Sequence, residues 1–234
     1  MNLIKHLANL GYGSRKEMQK LIRLGVVSDA SGAVLDDSSE PAHDDIRLDG
    51  KPLDPDFGVV LILNKPTGYV CSLKDRGRLV YDLLPPRFAQ RKPVLSTIGR
   101  LDSDTSGLLL FTDDGDFLHK IISPKNHVAK IYEVTCARPL EPGYGAVFAS
   151  GTLVLNEEKD ALKPAFLEVT GETTGRLTLY EGRYHQVRRM FAAVGNHVET
   201  LHRAQMAELT LGDLKPGKWR ILTPDERAGL LKSA

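Results

Sequence analysis

The sequence predicts an α+β protein with a small N-terminal module, residues 1–56, and a larger domain, residues 57–234. Two observations support this prediction. Two helical patterns stand at the start of the chain, and short strand patterns follow them. From residue 59 onward, short apolar runs succeed one another with few helices between them, which is typical of a large, mostly antiparallel sheet with flanking helices.

The N-terminal module begins with a helical pattern at residues 3–10. Ser14 and Glu17 form a predicted capping box that opens a second helix, and Gly25 ends that helix. The Asp-Gly pair at residues 49–50 predicts a hairpin turn between two short strands. The module is therefore two helices followed by small strands.

The larger domain follows a predicted linker at residues 54–58, where proline and glycine interrupt regular structure. Ten strands are predicted after it, at residues 59–63, 94–98, 108–112, 130–136, 152–155, 164–170, 175–181, 197–201, 208–211 and 219–222. Helices are predicted at residues 114–122 and 142–150, after Tyr184, and after Thr223, where Glu226 completes a cap.

The composition is that of a globular protein. Hydrophobic residues make up 41% of the 234 residues, and the mean hydropathy is -0.22. No apolar run is long enough to span a membrane, and the N-terminus lacks the apolar region of a signal peptide. Cys71 and Cys136 are too few for a disulfide framework and lack zinc-ligand spacing. We therefore expect a cytoplasmic monomer with no membrane attachment and no bound metal.

The net charge of +1 conceals two basic regions. Residues 1–27 hold five basic and one acidic side chains, and residues 59–130 hold eleven basic and seven acidic ones. Between them, residues 28–58 hold two basic and nine acidic side chains. Because salt screens charges beyond about 10 Å, a local basic cluster matters more for RNA attraction than the sum over the chain.

The segment from residue 99 to residue 115, GRLDSDTSGLLLFTDDG, places two aspartates directly before an apolar run. The run is short, continuous and bounded by glycine and aspartate turns, so it predicts a buried strand. A loop fixed by such a strand can hold a carboxylate rigidly at the mouth of a cleft. A solvated turn rich in Asp, Ser and Thr explains the same composition equally well, and neither Asp102 nor Asp104 is singled out by it.

The same loop, GRLDSDTSGL at residues 99–108, resembles the signature motif of pseudouridine synthases, in the form found in the branch that acts on the small ribosomal subunit. Further segments match that family in the same order along nearly the whole chain. They are LNKP at 63–66, KIYEV at 130–134, KPA at 163–165, EGRYHQVRRMF at 181–191, GNHV at 195–198 and LHR at 201–203.

The resemblance implies a role for each of four residues. Asp102 would be the catalytic nucleophile or ion-pair stabiliser, and Asp104, which competes with it on chemistry alone, would brace the loop. Arg188 would lie beside Asp102 and keep that carboxylate ionised in a closed pocket. Tyr132 would stack on the target uracil and help to remove the proton at C5, and Arg100 would fill the space left by the flipped base.

Basic residues complete the predicted RNA surface. Arg183 and Arg189 flank Arg188 and could form a phosphate-facing cluster with it, although on charge alone Arg188 could equally be a helix-surface arginine. Lys65 is predicted to follow the RNA backbone. The N-terminal module resembles the S4 RNA-binding module, and its second helix carries the predicted RNA-contacting residues Arg15, Lys16, Lys20 and Arg23.

The resemblance implies a cofactor-free isomerase that converts one uridine of 16S ribosomal RNA, the one at position 516, to pseudouridine. The expected partner is 16S ribosomal RNA or a small-subunit assembly intermediate. A non-catalytic RNA-binding assembly factor is the main alternative, because it would use the same basic surfaces. A glycoside hydrolase is a more distant one, since such enzymes also pair carboxylates around an anomeric carbon.

Overall fold

A computed structural model describes residues 2–123 and 126–233. The N-terminal module contains helices α1 (Leu3–Asn9) and α2 (Arg15–Arg23), followed by strands β1 (Val27–Ser28), β2 (Arg47–Leu48) and β3 (Lys51–Pro52). The three strands form an antiparallel sheet of their own in the order β1-β2-β3. The predicted hairpin turn at residues 49–50 joins β2 to β3 and is confirmed.

Local signals explain where the two helices begin. The Asn2 side chain accepts a hydrogen bond from the Lys5 backbone N–H at 2.9 Å, which caps α1. Ser14 and Glu17 form the predicted capping box of α2, with each side chain bonded to the other's backbone. The buried faces of both helices pack with the strands in a separate small core, made of Leu3, Leu7, Met18, Ile22, Val27 and Ile46.

In residues 57–123 and 126–233, the larger domain contains nine strands. These are β4 (Val60–Lys65), β5 (Ser96–Ile98), β6 (Thr105–Thr112), β7 (Lys130–Cys136), β8 (Phe166–Val169), β9 (Thr174–Leu179), β10 (Val198–Met206), β11 (Leu209–Thr210) and β12 (Trp219–Ile221). Four helices accompany them, α3 (Gly115–Ile122), α4 (Gly143–Ala149), α5 (Gln186–Ala193) and α6 (Pro224–Lys232). Three short 3₁₀ turns lie at His43–Asp45, Val80–Leu83 and Pro86–Gln90.

The nine strands form one mixed sheet. Its main path runs β12-β4-β6-β10-β7-β9-β8, with β5 paired to β6 and β11 paired to β10. Every pairing is antiparallel except that between β6 and β10, so the prediction of a mostly antiparallel sheet is confirmed. At this parallel contact a Cβ on Gly107 would lie 2.3 Å from the Arg203 carbonyl oxygen, and Gly107 has a φ of 108°. Only glycine lets the two backbones approach this closely.

The two faces of the sheet carry separate cores. Along β4, Leu61 and Leu63 face one hydrophobic cluster while Val60 and Ile62 face the other. Strand β6 alternates in the same way, and both strands are buried on both sides. This explains why both read as continuous apolar runs rather than as alternating patterns. The site-bearing loop at residues 99–104 therefore enters one of the most buried strands of the protein.

One predicted strand is wrong. Residues 152–155 form an irregular segment, in which the Leu153 carbonyl accepts from the Leu162 N–H and the Leu155 carbonyl from the Glu158 N–H. Its backbone groups therefore bond within the following loop rather than to a neighbouring strand. The other predicted strands and helices are present, with ends shifted by a few residues.

Two arginines of the larger domain bond to the linker that follows the module. Arg91, 2% exposed, donates from its guanidinium to the Asp113 carboxylate and to the backbone carbonyls of Pro55 and Asp56. Arg87 pairs with Asp54 in the same linker. Within residues 2–123 and 126–233, no helix combines the length and hydrophobicity needed to cross a bilayer.

Candidate active site

An open cavity of about 410 Å³ lies beside the loop at residues 99–104, over the central strands of the sheet. Its walls come from this loop, from β7 and β10, and from the segment at residues 182–188 that leads into α5. It brings together five residues singled out from the sequence, Arg100, Asp102, Tyr132, Arg183 and Arg188. These residues are separated by up to 88 positions in the chain, so the fold gathers them.

The loop is held from below by a buried ammonium group. Lys65, at the end of β4, is 0% exposed, and its Nζ donates to the backbone carbonyls of Asp102 at 3.0 Å and Thr105 at 2.7 Å. It also reaches the carbonyls of Pro66 and Ser103. Burial lowers the pKa of Lys65. The prediction that Lys65 contacts the RNA backbone is wrong, because the side chain is enclosed and its donors are used to fix the loop.

Asp102 faces the cavity and is one-third exposed. The Nε2 atom of His185 lies 3.3 Å from its Oδ1 atom. His185 stands at the start of α5 with a left-handed backbone, φ 48° and ψ 31°, and its ring stacks on that of Tyr184 at 3.8 Å between centroids. The imidazole is therefore fixed beside the carboxylate, where it can donate a hydrogen bond or, when protonated, supply a positive charge.

Arg188 lines the cavity but pairs with a different carboxylate from the one we expected. Its Nη2 atom lies 2.9 Å from Asp104 Oδ2, and its Nη1 donates to the Val198 carbonyl at 2.7 Å. The expectation of a direct Arg188–Asp102 pair is thus not met in this structure. The reason is geometric. The Val198 carbonyl and the Asp104 carboxylate together hold the guanidinium, and His185 is the residue that contacts the Asp102 carboxylate.

Tyr132 forms part of the cavity wall from strand β7 and is 8% exposed. In the antiparallel pairing of β7 with β10 it stands directly opposite Arg203. Neighbouring strand residues in register present their side chains on the same face. The ring is therefore held at the cavity by the sheet, which is the placement that a base-stacking role requires.

Two arginines predicted to contact RNA are engaged within the protein. Arg183 pairs with Glu158 and Glu181 and also donates to the backbone carbonyls of Asp160 and Ala161. Arg189 pairs with the same Glu158 at 2.9 Å. Both guanidinium groups therefore fasten the irregular segment at residues 156–161 to the start of α5. These ion pairs offset part of the charge of the predicted phosphate-facing cluster, while Arg183 still lines the cavity, and RNA contact by the two arginines stays a prediction.

The remaining predicted RNA-binding residues are exposed. Arg100 lies at the cavity rim and is exposed. On α2 the four basic side chains are all exposed, and none is among the residues that the described cavity wall contains; they are Arg15, Lys16, Lys20 and Arg23. The structure thus separates a basic helix from the cavity, and RNA binding by these residues stays a prediction.

Several cavity residues were not predicted as site residues. Lys130 lines the cavity from β7, and Thr105 and Arg203 line it from β6 and β10. Burial lowers the pKa of Lys130 to about 8, with the nearby charges of Arg203 and Lys163 acting in the same direction and Glu181 opposing them. Lys130 and Arg203 both belong to motifs that carry the family resemblance, so their position in those motifs was the available signal.

A possible metal-ligating group lies away from this cavity. In the described part of the chain, His6, His43 and Asp56 bring one ligand atom each within 4.8 Å of one another. His6 Nε2 and His43 Nδ1 are already hydrogen-bonded at 2.9 Å. The group lies where α1 meets the linker and does not contribute to the cavity wall.

Comparison with known proteins gives a consistent result. The model of the RNA pseudouridylate synthase family matches residues 59–193. The chain is 48% identical over 195 residues to ribosomal small subunit pseudouridine synthase A of Escherichia coli K12, covering 82% of each protein. It is 41% identical over 238 residues to the protein of the same name from Haemophilus influenzae, covering 99% of this chain and 100% of that one.

The solved structures agree with these relatives. A crystal structure of a pseudouridylate synthase matches 97% of this chain and 98% of its own, with a TM-score of 0.70 and 39% sequence identity. The match thus extends through the N-terminal module as well as the large sheet. With the loop, the cavity and the sheet in place, the chain belongs to the RNA pseudouridine synthase family, in the branch of the small ribosomal subunit enzymes.

Proposed function

We propose that this protein converts one uridine of 16S ribosomal RNA to pseudouridine, the uridine at position 516. The observation that carries the proposal is the placement of Asp102 in an open cavity, beside Tyr132 and Arg188, on a loop fixed by a buried lysine. The names of the relatives, which specify the small ribosomal subunit, support the choice of RNA.

The reaction needs no net change in atoms. The bond from ribose C1′ to uracil N1 breaks, the base turns, and C1′ bonds to C5, while the proton at C5 is lost and N1 gains one. A carboxylate suits this sequence, because it can add to the sugar or the base and leave again, or stabilise positive charge on the sugar. We assign this role to Asp102, with no cofactor in the reaction.

The target base must first leave the RNA stack, which costs a few kcal/mol. A cavity of about 410 Å³ has the size of a typical small-molecule site and accepts a flipped nucleotide. Tyr132 would stack on the uracil and favour removal of the C5 proton. Arg100, exposed at the rim, would occupy the vacated space in the RNA.

The polar and charged residues around Asp102 would have separate roles. His185, whose Nε2 atom lies 3.3 Å from Oδ1 of Asp102, would keep that carboxylate oriented. Arg188 would act by holding Asp104 and, through it, the loop, and its guanidinium still lies at the cavity wall to meet the substrate. The exposed basic residues of α2, in a module that resembles the S4 domain, would hold the RNA outside the cavity.

The experiment that tests this function is the substitution Asp102→Asn. We expect a loss of pseudouridine formation on the order of 10³-fold or more, as for removal of a catalytic nucleophile, with RNA affinity nearly unchanged. Asp213→Asn, at an exposed loop position, is the matched control. If Asp102→Asn still modified the RNA at the normal rate, the catalytic assignment would be wrong.

The target is tested by mapping pseudouridine in ribosomal RNA from cells that lack this protein. Loss of the modification at position 516, restored by the wild-type gene and not by Asp102→Asn, is the expected result. A complete 16S profile in the absence of the protein would contradict the proposed substrate. If the wild-type gene and the Asp102→Asn gene both restored ribosome assembly, and neither altered the pseudouridine profile of 16S RNA, the protein would be a non-catalytic assembly factor.

A further inference from the structure

Three buried polar atoms at the cavity have no hydrogen-bond partner in the described chain. They are Thr105 Oγ1, Arg188 Nε and Arg203 Nη2. All three residues line the same cavity, and Arg203 is 2% exposed. Buried polar groups are nearly always paired, because an unpaired one loses its hydration without compensation. A ligand bound in this cavity would supply the missing partners.

The strand pairing places Thr105 and Arg203 on the same wall of the cavity. In the parallel pairing of β6 with β10, Thr105 is in register with Leu201 and Gly107 with Arg203. Residues two apart on a strand share a face, so Thr105, Leu201 and Arg203 line the cavity together. On the other neighbour of β10, strand β7, Tyr132 stands opposite Arg203. A flat base stacked on Tyr132 therefore has its edge beside Thr105 and Arg203.

The Arg203 guanidinium is anchored by one end only. Its Nε donates to the Leu108 carbonyl at 2.7 Å, and the absence of a side chain at Gly107 lets β6 approach close enough for this bond. The anchor sets the direction of the planar group and leaves its Nη2 donor without a partner. This is the arrangement of a donor prepared for an acceptor on a ligand rather than of a structural ion pair.

The chemistry of the two groups matches the edge of uracil. That edge offers an acceptor at O4, a donor at N3–H and an acceptor at O2. Arginine can only donate, and a threonine hydroxyl can accept. Cytosine presents an amino donor in place of O4 and an acceptor at N3, so it would set donor against donor at arginine. A site that rejects a wrong hydrogen-bonding group in this way can discriminate strongly.

We propose that Arg203 donates a hydrogen bond to a carbonyl oxygen of the flipped uracil while Thr105 accepts from N3–H, and that this pair selects uridine and guides the turn of the base. The proposal rests on the proposed function. Its second part follows from symmetry: the turn that brings C5 to the place of N1 exchanges O4 with O2 and leaves N3–H where it was. Both hydrogen bonds are therefore available before and after the turn.

The test uses an RNA hairpin that contains the uridine modified by the wild-type protein, made with uridine, 4-thiouridine or 2-thiouridine at that position. Sulfur is a weaker acceptor than oxygen. We expect each thio substitution to slow single-turnover modification by wild-type protein about tenfold, the effect of about 1.4 kcal/mol. Arg203→Met should be slow on uridine and should respond to neither sulfur, and the comparison between proteins removes the intrinsic reactivity of the thio bases.

A second variant keeps the test decisive if Arg203→Met does not fold. Thr105→Val has the same shape, removes a hydroxyl that bonds to nothing in the described chain, and should leave the unfolding midpoint unchanged. It should slow the reaction of uridine about tenfold, and it should have no effect on a 3-deazauridine substrate, which lacks N3–H. Thr105→Ser should restore the rate, and Thr200→Val, at an exposed position on β10, is the control.

The outcomes separate this inference from the proposed function. If the wild-type protein modifies no RNA, the proposed function fails. If it modifies RNA but its rate is indifferent to both sulfur substitutions, or Arg203→Met responds to them as the wild type does, the role of Arg203 is overturned. If 4-thiouridine slowed the wild-type protein and 2-thiouridine did not, Arg203 would bond to O4 alone. The proposal that it guides the turn of the base would then be overturned, and the proposal that it selects uridine would stand.

Discussion

The Nζ atom of Lys65 donates to the carbonyl oxygen of Asp102 at 3.0 Å, so a buried cation touches the backbone of the residue to which we assign the chemistry. The same ammonium bonds to the Thr105 carbonyl at 2.7 Å, where the loop becomes strand β6. The turn is also closed by the Thr105 N–H, which donates to the Asp102 carbonyl at 3.1 Å. The loop is thus rigid because its carbonyls share one charged donor.

Replacement of Lys65 by methionine tests this arrangement. Several carbonyls would lose a charge-assisted partner in a buried place, and we expect a loss of about 2–4 kcal/mol of unfolding free energy. We also expect kcat to fall more than RNA affinity, because the loop would no longer hold Asp102 in position. Denaturant unfolding and single-turnover kinetics measure the two effects. Lys74→Met, at an exposed lysine, should change neither, and an equal loss of RNA affinity and kcat in Lys65→Met would contradict a purely internal role.

The Arg188–Asp104 pair predicts a smaller effect. Asp104 is 62% exposed, so solvent screens its 2.9 Å contact with Arg188 and the pair contributes at most about 1 kcal/mol to stability. We expect Asp104→Asn to lower kcat by up to about tenfold and to lower the thermal unfolding midpoint by no more than about 2–4 °C. Arg188→Gln should lower kcat further, because it removes a cavity group as well as the brace. Equal losses in the two variants would show that Arg188 acts only through Asp104.

Much of this fold follows from local sequence, and the site follows less well. Strand β6 was predicted because its continuous apolar run has one physical explanation, burial on both faces, and the capping boxes at Ser14 and Thr223 predicted their helices in the same local way. The role of Lys65 was not predictable from its surroundings. Three of its four carbonyl partners lie 37 to 40 positions further along, so only the folded chain brings them together.

The partners of the site arginines show the same limit. Arg183 and Arg189 share Glu158, which lies in the loop directly after residues 152–155, the segment that was predicted as a strand. Charge pattern shows that a cation is present but not which anion will be folded against it. Arg203 was not predicted for a related reason, because only the packed structure shows that its Nη2 donor has no partner.

The basic face of α2 gives a prediction about salt. Neutralising Arg15, Lys16, Lys20 and Arg23 together to glutamine should weaken RNA binding and lower the slope of log affinity against log salt by up to about 3–4, if all four neutralise phosphates. Modification of saturating RNA should continue. Binding titrations at several salt concentrations measure the slope, with four exposed lysines elsewhere, Lys159, Lys215, Lys218 and Lys232, as the matched control. A slope that both variants lower equally would place the RNA elsewhere.

Lys130 predicts a pH dependence in the cavity. Its pKa is lowered to about 8, chiefly by burial, so the ammonium is charged below pH 8 and neutral above it. If that charge attracts the anionic RNA, kcat/KM should fall by about tenfold as the pH passes from 7 to 9. Lys130→Arg should abolish the fall, because arginine stays charged, and Lys130→Met should be low and flat. A fall of the same size in Lys130→Arg would assign it to another group.

His6 predicts a pH dependence of stability at the junction of the module and the linker. Burial is the largest cause that lowers the pKa of His6; His43, Arg91 and the N-terminus act with it, and Asp56 opposes them. A lowered pKa in the folded state means that the fold favours the neutral ring. The stabilisation is complete above the ordinary pKa of about 6.5 and is lost as the pH falls through it toward the lower folded value.

We therefore expect the thermal unfolding midpoint of the wild-type protein to fall more between pH 7.5 and pH 5 than that of His6→Gln, which cannot titrate. The difference should grow as the pH falls below the ordinary histidine pKa of about 6.5. His119→Gln, an exposed histidine on α3, should keep the wild-type pH dependence. Scanning calorimetry at a series of pH values measures the difference. If His6→Gln followed the wild-type curve at every pH, protonation of this ring would have no part in acid destabilisation. Other titrating groups, such as the linker carboxylates Asp54 and Asp56, would then have to account for it.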